Sequence, residues 1–192
     1  MKLIHLSDLH LGKRVNEFSM IEDQKYILNE ILRIIDEEAP DGILLAGDLY
    51  DRPVPSAEAV QLFDRFLTRL AKRKLPVYAI SGNHDSAVRV NCYRSVLARQ
   101  RLHMIGLPPV QPEEYIEKVV LRDAYGSVNF YLLPFVKPSM VKLITGTDEK
   151  GNNLSYDETL RRMLAREEIN MAERNVLVSH QFYLCLLYTS PS

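Results

Sequence analysis

The chain has 192 residues, 46% of them hydrophobic, and a formal net charge of −1. That is enough apolar material for one good core, on the order of one domain. It excludes a globally basic nucleic-acid binder, although a local patch could still hold DNA.

Lys2–Leu6 reads as a short buried strand, and the polar "SDLH" that follows is unlike a signal peptide. Ser19 with Glu22 three residues on forms a capping-box pattern, and Ile21, Ile27, Leu28, Ile31, Leu32 and Ile35 follow at helical spacing. Pro40-Asp41-Gly42 ends that helix, and Ile43–Ala46 is a second apolar strand stopped by Gly47-Asp48. Ser56 is placed to cap the next helix, with Glu58 in its first turn and Val60, Phe63, Leu67 and Leu70 as its stripe, widened by Ala59, Leu62 and Phe66. Pro76–Ile80 is a third strand, a helix is expected over about 88–99, and "LHMIG" at 102–106 is a fourth strand. Ile116–Leu121 and Val128–Leu133 bracket a turn and suggest a hairpin. The polar loop 145–153 leads to Ser155 and Glu158, which cap a helix running to about Ala172, and "NVLVSH" at 175–180 is a last strand. Repeated strand–helix–strand order implies an α/β fold with a parallel sheet. Cys92 and Cys185 offer no disulfide framework, so a reducing, cytoplasmic setting is expected. No apolar run approaches the roughly 20 residues a membrane span needs, so no membrane association is expected.

Four of these strands end in side chains able to hold a metal: Asp8 and His10, then Asp48 with Asp51 beyond it, then Asn83, His84 and Asp85, and finally His180. In an open α/β sheet the carboxyl ends of the strands line the crevice where ligands sit, so residues far apart in sequence can meet there. Asp8 and His10, at i and i+2, can point the same way off an extended segment and grip one cation. A carboxylate such as Asp48 can bridge two cations, and Asn83 and His180 add neutral donors to the second. Mixed oxygen and nitrogen ligation suits Mn²⁺, Fe²⁺ or Zn²⁺ better than Mg²⁺ or Ca²⁺. Two such ions about 3.5–4 Å apart can clamp a phosphoester and lower the pKa of a bridging water. Gly47 and Gly82 let the backbone turn sharply and approach a ligand closely.

"DLH", "GDLYD", "GNHD" and "VSHQ", in that order, resemble the calcineurin-like metallophosphoesterase superfamily. The longer stretches "HLSDLHLGKRV", "AGDLYDRPVPS", "SGNHDS" and "LPFVKP" are similar to its DNA-nuclease branch, and the resemblance covers about residues 1–182. It implies a two-sheet α/β sandwich flanked by helices. It implies Asp8, His10 and Asp48 at one metal ion and Asp48, Asn83 and His180 at the other, most simply Mn²⁺. His84 would be a non-ligand that acts as proton donor or charge stabiliser at the phosphate, oriented by Asp85 accepting its second ring N–H. The implied activity is cleavage of DNA ends and hairpins, coupled to an ATPase partner. The implied assembly is a homodimer through the helices after the second and third strands.

The family also has a Gly-His-x-His motif downstream that completes both metal shells, and this chain contains none; His5 and His103 are its only other histidines. The expectation is therefore a phosphoesterase domain over 1–182, incomplete at its C-terminus, with an unrelated tail over 183–192. Weakened metal binding and little nuclease activity from the chain alone should follow. Competing functions are hydrolysis of small phosphoesters on the same fold, or a non-catalytic docking or dimerisation fragment. His5 is expected in the core or behind the ligands, His103 in a structural role, and Asp51 near the site without being a ligand. The basic run Arg65, Arg69, Lys72, Arg73 and Lys74 is expected as a solvated face, with phosphate-backbone contact as the alternative.

Overall fold

A computed structural model describes residues 1–183. Most of the tail expected to be unrelated, from Leu184 on and including Cys185, lies outside the described residues. The elements in chain order are β1 (Leu3–Leu6), β2 (Arg14–Val15), β3 (Phe18–Ser19), α1 (Ile21–Glu38), β4 (Gly42–Ala46), α2 (Ala57–Lys72) and β5 (Val77–Ile80). They continue with α3 (Ala87–Val90), α4 (Arg94–Ala98), β6 (Leu102–Ile105), β7 (Glu117–Asp123), β8 (Gly126–Leu133), α5 (Lys142–Thr145), α6 (Tyr156–Ala165) and β9 (Arg174–Ser179). β1, β4, β5 and β6 form one wholly parallel sheet in that order. A second sheet has the order β7-β8-β9, in which β7 and β8 are an antiparallel hairpin and β9 joins β8 in parallel.

The strand sequences explain the layering. A strand with both faces buried reads as continuously apolar, and its alternate side chains go to opposite sides. In β4, Ile43 and Leu45 join α1 and α2 in one core, while Leu44 and Ala46 face the second sheet. β5 divides likewise, with Val77 and Ala79 on the helix side and Tyr78 and Ile80 between the sheets. Val128, Phe130 and Leu132 of β8 close that inter-sheet core, and Tyr131 and Leu133 pack outward against Met163 of α6 and Val141 beside α5. The result is helix, sheet, sheet, helix: the α/β sandwich flanked by helices. Each fully buried Leu, Ile or Phe in these layers contributes about 1.5–3 kcal/mol of transfer free energy.

Local differences from the sequence expectations have identifiable causes. Ser19 does not cap α1; it ends a two-residue hairpin strand against Arg14, and the turn residues Asn16 and Glu17 both have positive φ. The helix begins after Met20 with no side-chain cap. On α2, Ser56 does cap, accepting the Ala59 N–H at 3.2 Å, but Val60 is exposed, and Ala59, Leu62, Phe63, Phe66 and Leu70 carry the burial. The expected helix over 88–99 breaks into α3 and α4, because Asn91 turns its side-chain oxygen to the Gly106 N–H and Tyr93 takes a left-handed φ of 59°. α6 stops at Ala165, short of Ala172. Arg166 turns back to the Glu114 carbonyl, and Glu167 accepts the Ile116 N–H at 3.0 Å.

Candidate metal centre

The carboxyl ends of β1, β4, β5 and β9 meet in one open cleft of about 470 Å³, lined by Ser7, Asp8, His10, Asp48, Asn83, His84, Ser179, His180, Gln181 and Phe182. Every residue expected to hold metal is in that lining. The loop after β1 runs beside the loop after β4: Asp8 N–H donates to Gly47 O, His10 N–H to Asp48 O and Leu11 N–H to Leu49 O, at 3.1, 2.9 and 3.0 Å. Asp8 and His10 do not leave an extended segment as the i, i+2 spacing suggested. Both adopt left-handed backbone, at φ 56° and 43°, and so does Asp48 at 49°. Such a conformation is uncommon outside glycine and is held only where the surroundings determine it. Here they do. From α1, Gln24 donates to the His10 carbonyl at 2.8 Å and accepts the Gly12 N–H at 2.9 Å, clamping the loop.

The donor atoms converge on the buried Asp48 carboxylate. His10 Nε2 lies 3.6 Å and His180 Nε2 3.4 Å from Asp48 Oδ2. His10 Nε2 is also 3.7 Å from Asp8 Oδ1, and His180 Nε2 is 3.2 Å from Asn83 Oδ1. His180 Nδ1 sits 2.7 Å from the Ala46 carbonyl, which can only accept, so Nδ1 carries the proton. In the neutral imidazole, Nε2 then presents a lone pair to two oxygen acceptors. Three electron-rich atoms facing one another are mutually repulsive unless a cation stands between them. The donor set thus fits a divalent metal of the mixed oxygen and nitrogen type. Asp8, Asp48 and His180 offer atoms within 4.8 Å of one another, and so do His10, Asp48 and His84. His84, expected as a non-ligand, therefore lies within ligand reach of His10 and Asp48.

The expected link from Asp85 to the His84 ring is not there. Asp85 is buried behind the site, where Oδ2 accepts the N–H groups of Leu49 and Gly82 at 3.0 and 2.9 Å and Oδ1 that of Tyr50 at 2.9 Å. Burial pushes its carboxyl upward from the ordinary value, and those three N–H bonds pull against the shift. His84 Nδ1 instead meets the Asp51 carbonyl at 2.9 Å, leaving Nε2 for the cleft. The His84 backbone N–H donates to Asp48 Oδ1 at 2.8 Å. So Asp85 positions the β4 and β5 loops, and Asp51 orients the ring. Asp51 also brings Oδ1 to 3.6 Å from the buried His10 Nδ1. Its spacing in "GDLYD" hinted at proximity, but a backbone acceptor carries no side-chain signature. Burial and the Asp85 charge push the neighbouring Tyr50 hydroxyl up to about 12.

Other expectations fall outside the cleft. His5 is exposed rather than in the core. His103 stacks on Tyr78 between β5 and β6, with ring centroids 5.1 Å apart. Within the basic run, Arg69 is bound to Asn29 and Arg73 forms a two-pronged pair with Asp36, so both serve the α1–α2 contact. No described helix is long and apolar enough to cross a membrane.

A parallel sheet whose strand ends carry interleaved carboxylates and imidazoles, backed by a second sheet, is the architecture of a metallophosphoesterase domain. Residues 1–181 match the model of the calcineurin-like phosphoesterase family, and the chain belongs to that family. Among curated proteins it is similar to the SbcD component of the nuclease SbcCD from Staphylococcus epidermidis, 33% identical over 94% of this chain and 46% of the relative. It is also similar to the protein of the same name from Staphylococcus saprophyticus, 32% identical over 94% of this chain and 46% of the relative. The chain spans about half the length of the curated relatives it matches.

Proposed function

We propose that this chain is the metal-binding part of a DNA nuclease of the SbcD type, hydrolysing phosphodiester bonds with two Mn²⁺ ions and working with an SbcC-type ATPase partner. The observation that carries the reading is the convergence of His10 Nε2, His180 Nε2, Asp8 Oδ1 and Asn83 Oδ1 around Asp48. It is supported by relatives that carry a nuclease name. Asp8, His10 and Asp48 would hold one ion and Asp48, Asn83 and His180 the other. When bound, the ions supply charge for the phosphate oxygens and a more acidic water. Asp48 keeps both sets of ligands in one frame, because one carboxylate oxygen is fixed by the His84 N–H and the other faces both histidines. The Asp51 carbonyl accepts from His84 Nδ1–H, so that Nε2 faces the cleft, where its protonated form can donate to a phosphate oxygen.

Asp85 contributes by holding the Gly82–Asp85 turn against the β4 loop. Exposed Val60 on α2, with Val88 and Val96 along α3 and α4, supports a homodimer through these helices. With no Gly-His-x-His motif in the given sequence, fewer protein ligands would surround each ion, and cleavage by this polypeptide alone should be slow. The test is Mn²⁺-dependent degradation of labelled duplex and hairpin DNA, run beside bis(p-nitrophenyl) phosphate with Asp48→Ala as the blank. Slow cleavage of DNA in preference to the small ester, abolished in the variant, is the expected result. Preferential turnover of the small ester would move the reading to a small-molecule phosphoesterase, and absence of bound metal to a docking fragment.

A further inference from the structure

Two residues beyond His180 the otherwise polar cleft acquires a large apolar side chain, Phe182, which is 67% exposed. A single exposed phenylalanine needs no explanation in general. This one is fixed in place. Its ring meets Phe135 edge-to-face at 5.8 Å and Tyr156 edge-to-face at 5.5 Å, with interplanar angles of 85° and 86°. Phe135, at 8% exposure, anchors the cluster, and Tyr156 is half-exposed at the start of α6. Behind the ring, the Gln181 side chain donates to the Pro134 carbonyl at 3.1 Å and ties the segment to the end of β8. The same cleft therefore has a wall of metal-binding donors and, two residues along the chain, a braced aromatic ring with its surface open.

We propose that Phe182, braced by Phe135 and Tyr156, is a stacking platform for the nucleobase next to the phosphate held at the metal centre. The inference rests on the nucleic-acid reading above. Within one nucleotide of any phosphate in DNA lies a base whose π-face is the natural partner of an exposed ring, whatever the sequence. A base can reach such a ring only when it is out of the duplex stack, so the cleft takes an unpaired nucleotide at this point: a frayed end, a single strand or a loop. Phosphate-only contacts would leave the ring without a role.

The experiment titrates the full chain with Mn²⁺ against two probes. One is a short single-stranded oligodeoxynucleotide carrying 2-aminopurine, and the other is the same oligonucleotide with abasic sites in place of its bases. Wild type is expected to quench the 2-aminopurine fluorescence on binding. Phe182→Ala should lose the quenching and bind the base-bearing probe about tenfold more weakly, with its affinity for the abasic probe unchanged. Phe182→Tyr should keep both properties. Equal quenching and affinity in Phe182→Ala would overturn the stacking role alone, and so would an equal loss of affinity for both probes. Failure of wild type to bind either probe, while it hydrolyses bis(p-nitrophenyl) phosphate, would overturn the nucleic-acid reading and the stacking role with it.

Discussion

A side-chain carbon at Gly82 would lie 2.1 Å from Asp48 Oδ1 and 2.3 Å from the Asp48 backbone nitrogen. The turn after β5 can approach the carboxylate at the centre of the site only because residue 82 has no side chain. Gly82→Ala must push the two loops apart. Strain of this kind costs about 1–3 kcal/mol, and it also displaces Asn83 and His84 from Asp48. The expected outcome is a lower melting temperature together with a loss of Mn²⁺ affinity, read by thermal unfolding and by calorimetric titration. Wild-type Mn²⁺ affinity in the variant would show that the close approach is irrelevant to the ligands.

Metal should stabilise the fold through the same carboxylate. The convergent donors are preorganised in the native state and scattered in the unfolded one, so bound metal adds to folding free energy. A single site at a hundredfold excess over its dissociation constant adds about 2.7 kcal/mol. Mn²⁺ is expected to raise the melting temperature of wild type, EDTA to reverse the rise, and Asp48→Ala to show neither effect. In the proposed arrangement Asp48 serves both metal positions, so the single variant should abolish the whole increment and not half of it.

His103 provides a pH dependence separate from the metal site. Its ring lies against Tyr78, and burial is the main cause that depresses its pKa below the ordinary value; Arg94 acts in the same direction and Glu117 opposes. A histidine whose folded pKa lies below its unfolded value is neutral in both states at high pH. As pH falls through the unfolded value of about 6.5, the unfolded chain takes up the proton first and stability declines. Denaturant unfolding of wild type and His103→Phe should therefore diverge on going from about pH 7 to about pH 5, wild type losing more. Parallel profiles would remove His103 as the source.

Helix caps show what the sequence could and could not reveal. Ser56 and Ser155 sit where the pattern put them, accepting the N–H groups of Ala59 and Glu158 at 3.2 and 3.1 Å. Ser19, with an equally good Glu three residues on, is used instead in the β2–β3 hairpin, whose two-residue turn has no glycine to announce it. Alanine at Ser56 or Ser155 should cost about 1 kcal/mol, and alanine at Ser19 much less, as measured by denaturant unfolding. The buried strands were legible because β4 and β5 are apolar on both faces, and the strand-end polar residues were legible because nothing in a core explains them. What joins those residues was not legible. The Asp51 carbonyl and the left-handed backbone at Asp8, His10 and Asp48 are backbone features that residue types do not encode, and the Gln24 clamp joins a side chain to distant backbone that no spacing announces. Nothing in the sequence marks Phe182 for the cleft; Phe135 and Tyr156, distant in sequence, hold its ring there.

Asp85 tests the difference between a ring-orienting and a loop-holding carboxylate. Its two oxygens accept three backbone N–H groups, from Leu49, Tyr50 and Gly82. Asp85→Asn keeps the shape but replaces one acceptor oxygen with an NH₂ group that confronts a backbone donor. Leaving such a buried donor unsatisfied costs about 1–3 kcal/mol, so the melting temperature should fall even in EDTA. Metal affinity should fall with it, because the β4 and β5 loops carry Asp48 and Asn83. The His84 ring should keep its Nδ1 hydrogen bond, followed by the ring ¹⁵N chemical shifts, since that nitrogen is held by the Asp51 carbonyl. Loss of that ring hydrogen bond with unchanged stability would instead return Asp85 to the role of direct ring partner.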